Sequence, residues 1–327
     1  MRAKSTLLTA AAAALMLCLG SASAQDLEQT KVTVGLPVTT STFLPLYLAE
    51  EEGYFKEEGL EVELVAFRGG TDLVRGMVAG AVDVAVGAMA ELMVGIRSGQ
   101  EIRAFYGGFN MAVFEWYAVP EITSIEQTKG KRFGVTRFGS STDYLTRYVL
   151  NRNGLNPETD VQIIQGGGSG ARMAAMEAGQ LDVNIYAPPE TFMSADQGYS
   201  KIYDQQDIAK DYPNHTFYAP LDFLESKPNT IKALLRAFVK GVRLAKADRE
   251  RSIKTISQRI GVDEAYAGRT YDDFIDEVYE DGRFPSEAGM KAFWEIGIEN
   301  GEYDRAWSEE EYLVRTFMDS YDEWKPE

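Results

Sequence analysis

Hydrophobic and polar positions follow one scheme along the first third of the chain, in which short apolar runs alternate with segments of helical spacing. Apolar residues three or four positions apart predict a helix face, whereas short β-branched runs predict strands. Strands that alternate with helices are typical of a parallel, doubly wound α/β sheet. We predict strands at residues 32–36, 62–67, 82–86, 102–106 and 114–119, and helices at 44–56, 71–79 and 89–97.

The same order of elements returns in the second third of the chain and then stops. Apolar runs and helical spacing predict strands at residues 132–136, 161–164 and 183–186, and helices at 142–153 and 171–178. After a further predicted strand at 216–219, the segment from Pro228 onwards has the apolar spacing of helices. Because this helical segment contains no third α/β repeat, we expect it to pack on the first lobe.

The two α/β segments share an internal sequence repeat. Residues 79–84 read Ala-Gly-Ala-Val-Asp-Val and residues 178–183 read Ala-Gly-Gln-Leu-Asp-Val, so that Asp83 and Asp182 lie 99 positions apart. Ser41 and Ser140 are separated by the same offset. A chain that builds one lobe twice has a cleft between the lobes, and such clefts are common sites for small ligands. The repeat therefore predicts a protein that binds a solute by closing two lobes around it.

The predicted lobes are connected by two crossings of the chain. We place lobe 1 at residues 25–116 and 217–327, and lobe 2 at residues 117–216. The crossings then fall near residues 112–118 and 205–217, where they would act as two hinge strands.

The first 24 residues indicate export from the cytoplasm. Arg2 and Lys4 precede an apolar run from Leu7 to Leu19, and Ala22-Ser23-Ala24 follows, which is the pattern of a signal peptide cleaved after Ala24. An uncleaved membrane anchor is the alternative, but this run is shorter than the roughly 20 apolar residues that a span needs. We therefore expect a periplasmic protein.

Charge and cysteine content exclude several classes of function. The chain has 50 acidic and 33 basic residues and a net charge of −17, which disfavours binding to nucleic acid or to anionic lipid. Cys18 is the single cysteine and lies in the predicted signal peptide, so that the mature chain would have no disulfide and no cysteine nucleophile. One histidine, His215, cannot make a metal site alone, and we expect it at the surface or the hinge. We expect no cofactor.

The ends of the predicted strands supply loops with hydroxyl groups that would face the cleft. Thr40, Ser41 and Thr42 precede one helix, and Ser140, Ser141 and Thr142 precede its counterpart in lobe 2. One hydroxyl in each loop could simply cap its helix. Hydroxyls together with helix N-terminal N–H groups would also suit an anionic or hydrogen-bonding ligand.

Other loops add candidates, each with a structural alternative. Arg68 could hold a carboxylate or sulfonate through its two-pronged guanidinium, or could lie in solvent. The run Gly166-Gly167-Gly168-Ser169-Gly170 lacks the lysine of a phosphate-binding loop, so that its glycines more plausibly permit a turn beside the cleft. Phe109, Trp116, Phe138 and Tyr186 are aromatic candidates, which would suit a planar ligand or belong to the core. The remaining candidate site residues are Met89, Asn110 and Gly167.

Five segments of the chain carry a family resemblance, namely Phe43–Val62, Met77–Ala88, Gly139–Leu145, Asp222–Leu224 and Lys227-Pro228. They resemble the periplasmic binding proteins of the alkanesulfonate/taurine/nitrate and thiamine-precursor group. The resemblance implies a type II periplasmic-binding-protein fold, a monomer that is not an enzyme, and delivery of a small molecule to the permease of an ABC importer. Tyr186-Ala187 stand where sulfonate binders of the family often carry Trp-Asp-Pro, which disfavours taurine or a simple alkanesulfonate.

The sequence leaves the ligand open. A sulfonate, an aromatic carboxylate or a similar small anion fits the hydroxyl loops, whereas a thiamine-type pyrimidine precursor fits the aromatic residues. An enzyme resembling the thiamine-pyrimidine synthases is a further alternative, although that group relies on an active-site histidine and a cysteine-rich motif. The mature chain would have no cysteine, and His215 falls near a crossing between lobes.

Overall fold

The protein folds into two α/β lobes, each built on a five-stranded sheet. The structure is a computed structural model that describes residues 27–327. The predicted signal peptide at residues 1–24, with Cys18, lies outside the described residues.

The sheet of lobe 1 takes four strands from the first third of the chain and one from much later. Strand β1 is parallel to β2 and β3, whereas β10 runs antiparallel to both β3 and β4. The strand order is β2-β1-β3-β10-β4. The strands are β1 (Lys31–Leu36), β2 (Glu61–Ala66), β3 (Val84–Gly87), β4 (Ile102–Met111) and β10 (Asp211–Pro220).

The sheet of lobe 2 repeats this plan. Strand β6 is parallel to β7 and β8, and β5 runs antiparallel to β8 and β9 in the order β7-β6-β8-β5-β9. The antiparallel strand of each sheet, β10 or β5, is thus the one that the chain enters after crossing from the other lobe. The strands are β5 (Glu115–Ala118), β6 (Arg132–Val135), β7 (Gln162–Gln165), β8 (Val183–Tyr186) and β9 (Ser200–Asp204).

Helices cover the faces of both sheets and form the C-terminal segment. In lobe 1 the helices are α1 (Leu44–Glu51), α2 (Tyr54–Glu57), α3 (Gly70–Val78) and α4 (Met89–Arg97). In lobe 2 they are α5 (Ser141–Arg152), α6 (Ser169–Glu177) and α7 (Glu190–Asp196). The C-terminal helices are α8 (Leu221–Ser226), α9 (Pro228–Ala247), α10 (Arg249–Ile260), α11 (Glu264–Phe274), α12 (Glu287–Glu299), α13 (Thr316–Asp319) and α14 (Tyr321–Trp324).

The 99-residue repeat is visible in the bounds of the elements and in their hydrogen bonds. Helices α3 and α6 are offset by 99 residues at both ends, and so are strands β3 and β8. Asp83 accepts a hydrogen bond from the Thr33 backbone N–H at 2.8 Å, and Asp182 accepts one from the Arg132 N–H at 2.8 Å. Asp83 therefore ties the loop before β3 to β1, and Asp182 ties the loop before β8 to β6.

The two crossings run side by side and are joined by one buried side chain. The chain leaves β4 for β5 at residues 112–114 and returns from β9 to β10 at residues 205–210. The Gln205 side-chain oxygen accepts from the backbone N–H groups of Val113 and Phe114, each at 3.1 Å. The boundaries that we drew at residues 116 and 216 fall inside β5 and β10, so the strands favour domain boundaries at these crossings instead.

The C-terminal helices contact both lobes, whereas the sequence led us to expect contacts with lobe 1 alone. Helix α9 packs on α1 and α2 of lobe 1, whereas α12 packs on β10 and also on α5 of lobe 2. The Tyr144 hydroxyl of α5 donates to the Phe293 carbonyl at 2.7 Å, and the Asn300 amide donates to the Tyr144 carbonyl at 2.9 Å. Helix α12 therefore braces the two lobes beside the crossings.

The predicted elements differ from the structure in a few places. The helix predicted at 44–56 is divided into α1 and α2, because Gly53 adopts a left-handed φ of +77° that an α-helix cannot contain. Strand β10 begins at Asp211 rather than at residue 216, since polar Asn214 and His215 interrupt its apolar pattern. Strand β9 and helix α7 were not predicted.

The lobes have hydrophobic cores on both faces of their sheets. Val34 and Val84 of lobe 1 and Val135 and Val183 of lobe 2 are fully buried. Among residues 27–327, none of the helices combines the length and the apolar character needed to cross a bilayer.

Candidate functional site

A cavity lies between the lobes, at the carboxyl ends of the parallel strands of both sheets. It leaves about 70 Å³ in which the centre of a water molecule can lie. Loops that follow the parallel strands of both sheets contribute to its wall, together with the first crossing and β10. The lining residues are Pro37, Val38, Thr40, Thr42, Phe43, Gly69, Gly70, Ala88, Glu91, Val113, Phe114, Thr136, Ser141, Thr142, Ser169, Arg172, Ala187, Asn214 and His215.

The wall of the cavity has approximate twofold symmetry because of the repeat. Five pairs of residues 99 positions apart line it from opposite lobes. These pairs are Pro37 with Thr136, Thr42 with Ser141, Phe43 with Thr142, Gly70 with Ser169, and Ala88 with Ala187.

The hydroxyl loop of lobe 1 is only partly directed at the cavity. Thr40 and Thr42 line it, as the sequence suggested, and the Thr40 hydroxyl has no hydrogen-bond partner among the described residues. The Thr42 hydroxyl lies 3.2 Å from His215 Nε2. Ser41 is fully buried outside the cavity wall and donates across the cleft to the Pro188 carbonyl of lobe 2 at 3.1 Å. Its position therefore suits a contact between lobes.

The hydroxyl loop of lobe 2 uses most of its hydroxyls on itself. Ser140 lies outside the cavity wall, and its hydroxyl donates to the Arg137 carbonyl at 2.7 Å. Thr142 lines the cavity but bonds to Ser140 at 2.9 Å and to Thr136 at 2.9 Å. Ser141 lines the cavity, and its backbone N–H points across the cleft to the Glu91 carboxylate at 2.9 Å.

Glu91 is a buried acid in the cavity wall that the sequence analysis did not single out. It lies on α4 of lobe 1 and is 2% exposed. Burial raises the pKa of its carboxyl to about 7, against the opposing effect of the hydrogen bond that it accepts from the Ser141 backbone N–H. One of its oxygens, Oε2, is buried and has no hydrogen-bond partner within residues 27–327.

Arg172 is the basic counterpart of Glu91 and comes from α6 of lobe 2. It is 2% exposed, and burial lowers the pKa of its guanidinium, although an arginine keeps its charge in proteins. The Glu190 carboxyl acts on it electrostatically, but no carboxylate of the described residues forms an ion pair with it. Its N–H groups donate instead to the carbonyls of Gly134, Gly167 and Ile185 and to the Ser169 hydroxyl, so that one N–H of Nη2 remains available.

His215 lines the cavity as a neutral, buried ring, so that a position at the surface was wrong. Its ring stacks on Phe43 with 4.2 Å between the centroids, and it is 9% exposed. Burial lowers the pKa of His215 to about 3, which keeps the imidazole uncharged at neutral pH.

The aromatic candidates lie mainly in the cores rather than in the cavity. Trp116 is fully buried inside lobe 2, where its Nε1–H donates to the Thr146 hydroxyl at 3.0 Å. Phe109 packs in the core of lobe 1 against Phe274, and Tyr186 is buried outside the cavity wall with Arg172 over its ring. The strand pairing that buries β4, β5 and β8 explains these positions.

The other candidates also lie outside the cavity wall. Arg68 is exposed, and Phe138 is 46% exposed at the rim. Met89 is buried in the core, and Asn110 donates to the Arg283 carbonyl at 2.9 Å. Gly167 adopts a φ of +74° and presents its carbonyl to Arg172, so that this glycine positions the guanidinium.

The repeat contains a signal that could have identified Arg172. Its equivalent in lobe 1 is Leu73, which is fully buried in the core. A charged residue in lobe 2 at a position that is core in lobe 1 indicates a buried charge. For Glu91 no such signal exists, because its equivalent Glu190 is also acidic.

Contacts around the rim hold the two lobes against each other. Arg137 of lobe 2 and Asp72 of lobe 1 form an ion pair at 2.9 Å. The Thr71 hydroxyl donates to the Phe138 carbonyl at 2.8 Å. Together with the Ser41 and Ser141 contacts, these bonds describe a closed arrangement.

A two-lobed α/β protein with two crossings and a cavity between its lobes has the periplasmic-binding-protein fold. The alkanesulfonate-binding protein SsuA from Xanthomonas axonopodis pv. citri, solved bound to MOPS, shares this fold with a TM-score of 0.74 and 18% identity, over 89% of this chain and 100% of SsuA. Residues 40–252, more than half of the chain, match the NMT1/THI5-like family, and the chain belongs to that family. The resemblance seen in the sequence is thereby confirmed.

Two curated relatives are similar over part of their length. YtlA of Bacillus subtilis (strain 168) is 26% identical over 234 residues, which are 67% of this chain and 67% of YtlA. The nitrate/nitrite binding protein NrtA of Nostoc sp. (strain PCC 7120) is 25% identical over 244 residues, which are 67% of this chain. The match spans about half of NrtA, namely 54%. Both relatives bear the names of binding proteins, as does SsuA, whose fold this chain shares.

Proposed function

We propose that this protein captures a small organic anion in the cavity between its lobes and delivers it to the permease of an ABC importer. The chain acts as a monomer in the periplasm, after removal of its signal peptide, and returns its ligand chemically unchanged. The observation that carries the proposal is the buried guanidinium of Arg172.

A buried charge without a counter-ion is costly unless hydrogen bonds or an opposite charge compensate for it. Arg172 is 2% exposed, and its bonds among the described residues go to neutral carbonyl and hydroxyl groups. An anionic ligand supplies a negative charge in direct contact with the guanidinium and accepts the N–H that remains on Nη2. The site therefore favours an anion over a neutral ligand of equal size.

The size of the cavity favours a compact ligand. A volume of about 70 Å³ for the centres of water molecules corresponds to about five to seven waters at roughly 10–15 Å³ each. Two of the similar proteins bear names of small anions or anionic groups, alkanesulfonate and nitrate/nitrite. Of the ligands that the sequence left open, a small anion has more support than a pyrimidine, because Trp116 and Phe109 lie outside the cavity.

The test is calorimetric titration of the purified mature protein with compact anions and with a neutral pyrimidine. Short carboxylates, short sulfonates and nitrate are the anionic probes. We expect at least one anion to bind, and Arg172→Lys to weaken it by about 10- to 100-fold, since charged hydrogen bonds contribute about 1.5–3 kcal/mol. Lysine keeps the charge but loses the planar fork.

Arg68→Lys is the matched control, because Arg68 is an exposed arginine on the equivalent loop of lobe 1. We expect this variant to bind as the unmodified protein does. Thermal unfolding of both variants separates lost binding from lost folding. Binding of the pyrimidine but of none of the anions would overturn the proposal, and a product formed from the ligand would overturn its non-enzymatic part.

A further inference from the structure

The cavity wall carries one acidic and one basic side chain, each from a different lobe. Glu91 comes from α4 of lobe 1, and Arg172 comes from α6 of lobe 2. Their equivalents in the repeat, Glu190 and Leu73, are not among the lining residues. The charges thus break the twofold symmetry that the rest of the wall shows, and they give the cavity an acidic and a basic side.

The Glu91 carboxylate is held in one orientation. Its Oε1 accepts the backbone N–H of Ser141 at 2.9 Å, at the start of α5 in lobe 2. On the other side lies Gly70, where an added Cβ would come within 1.7 Å of Glu91 Cγ. The glycine therefore leaves just enough room for this side chain, and the Ser141 bond fixes Oε1 beside it.

The second oxygen of this carboxylate is an acceptor without a donor. Oε2 is buried and has no hydrogen-bond partner among residues 27–327. Most buried acceptors in native proteins are satisfied, and this oxygen therefore has the capacity to accept one more hydrogen bond. Since Glu91 lines the cavity, a ligand is placed to supply that donor.

We infer that Glu91 is a specificity-determining residue which selects anions that also carry a hydroxyl or amino group. The anionic group pairs with Arg172, and the O–H or N–H of the ligand donates to Glu91 Oε2. The inference rests on the proposed function, because it concerns the same cavity and adds a second requirement to the ligand.

A plain anion, which has no hydroxyl or amino group, cannot donate a hydrogen bond to Glu91 Oε2. If Glu91 is ionised, its negative charge lies in the same small, buried space as the anionic group of the ligand. Binding of a plain anion would therefore require Glu91 to take up a proton. The titratable groups whose electrostatics couple to Glu91 are Tyr212, Tyr218 and Tyr303. Burial raises the pKa of all three phenols, so that they stay neutral at pH 8 and do not offset the repulsion.

The charged pair Arg97–Glu302 also lies on this side, next to Tyr303. Arg97 and Glu302 bond to each other at 2.8 Å, which leaves little net charge to act on Glu91. Arg97 is placed 5.2 Å from the centre of the Tyr303 ring. Proton uptake by Glu91 therefore remains the expected cost of binding a plain anion.

The experiment compares probes that differ by one donor group, titrated at pH 8 by calorimetry. The sulfonate series is ethanesulfonate, 2-hydroxyethanesulfonate and 2-aminoethanesulfonate, and the carboxylate series is propanoate, 3-hydroxypropanoate and 3-aminopropanoate. We expect, in the series that binds, a donor-bearing probe to bind at least tenfold more tightly than the plain anion.

Glu91→Gln should abolish or reverse this preference. The amide oxygen replaces Oε1 as acceptor for Ser141 N–H, and the amide NH₂ then presents a donor where Oε2 was. The control is Glu190→Gln, the equivalent acid in lobe 2. Glu190 acts on Arg172, which all probes of a series would engage alike, so that this variant can change their affinities but should leave the ratio between them unchanged. Thermal unfolding of both variants confirms that they fold.

Each failure has a different meaning. Equal affinity for all members of a series, or a preference that survives Glu91→Gln, would overturn the role of Glu91 and leave the anion-binding function standing. The absence of binding to every anion in both series would overturn the proposed function and this inference with it.

Discussion

Replacing Glu91 with glutamine should change how the stability of the ligand-free protein depends on pH. Burial raises the pKa of the Glu91 carboxyl from 4.5 to about 7, so that between these values the folded state holds a proton that the unfolded state has lost. The stability linked to this proton is fully present below pH 4.5 and disappears as the pH rises to about 7. A glutamine has no such proton.

The magnitude follows from the size of the shift. A difference of one unit in pKa corresponds to about 1.4 kcal/mol, so that the shift of Glu91 is equivalent to about 3 kcal/mol of unfolding free energy. Because Glu91 is 2% exposed, solvent screening does not reduce this figure greatly. Relative to the unmodified protein, Glu91→Gln should therefore gain about 3 kcal/mol between pH 4.5 and pH 8.

Urea unfolding of both proteins at intervals of pH between 4.5 and 8 measures this difference. Other groups titrate in the same range, including His215, whose lowered pKa makes stability fall as the pH drops from 6.5 towards 3. Their contributions are common to both proteins and cancel in the difference. A difference that stays constant across the range would refute the reasoning, since it would mean that Glu91 titrates alike when folded and unfolded.

Two further perturbations test the closure and the crossings. Asp72→Asn removes the rim ion pair with Arg137 and should shift the free protein towards an open form, with a larger radius of gyration by small-angle scattering and an affinity lowered by about two- to fivefold. Asp222→Asn on exposed α8 is the control, and scattering and affinity that stay unchanged in Asp72→Asn would contradict the expectation. Gln205→Ala leaves two buried backbone N–H groups without their acceptor and should lower the free energy of unfolding in urea by about 2 kcal/mol. Gln206→Ala at the exposed neighbouring position should lower it little, and equal decreases in the two variants would contradict the role of Gln205.

The fold could be predicted from the sequence because its information is local and is given twice. The bounds predicted for α4 and β8 agree with the structure, and the 99-residue offset anticipated the paired elements. The division of the helix at 44–56 was not predicted, because the left-handed φ at Gly53 is set by a single turn. Periodicity describes runs of residues and does not resolve such a turn.

The wall of the site was predicted less well than the loops that form it. The loops follow from strand ends, but which side chain enters the cavity depends on how the lobes pack. Ser140 has the residue type of a ligand-binding hydroxyl, yet it donates to its own loop at the Arg137 carbonyl. Arg172 and Glu91 have the residue types of solvent-exposed helix positions, and their burial is a tertiary property that no local pattern contains. For Arg172 only the comparison with Leu73 across the repeat indicates it.

The placement of the two charges connects the site to the mechanism of closure. A ligand can shift an open–closed equilibrium only by the difference between its interactions with the two states. Because Arg172 belongs to lobe 2 and Glu91 to lobe 1, a ligand bound to an open cleft can engage one of them, and closure is required to engage both. The Ser141–Glu91 bond is also made between lobes, so that the orientation of the carboxylate itself depends on closure. Recognition of the donor group and closure of the lobes are then one event, and a ligand that lacks the donor should bind weakly and also close the protein less completely.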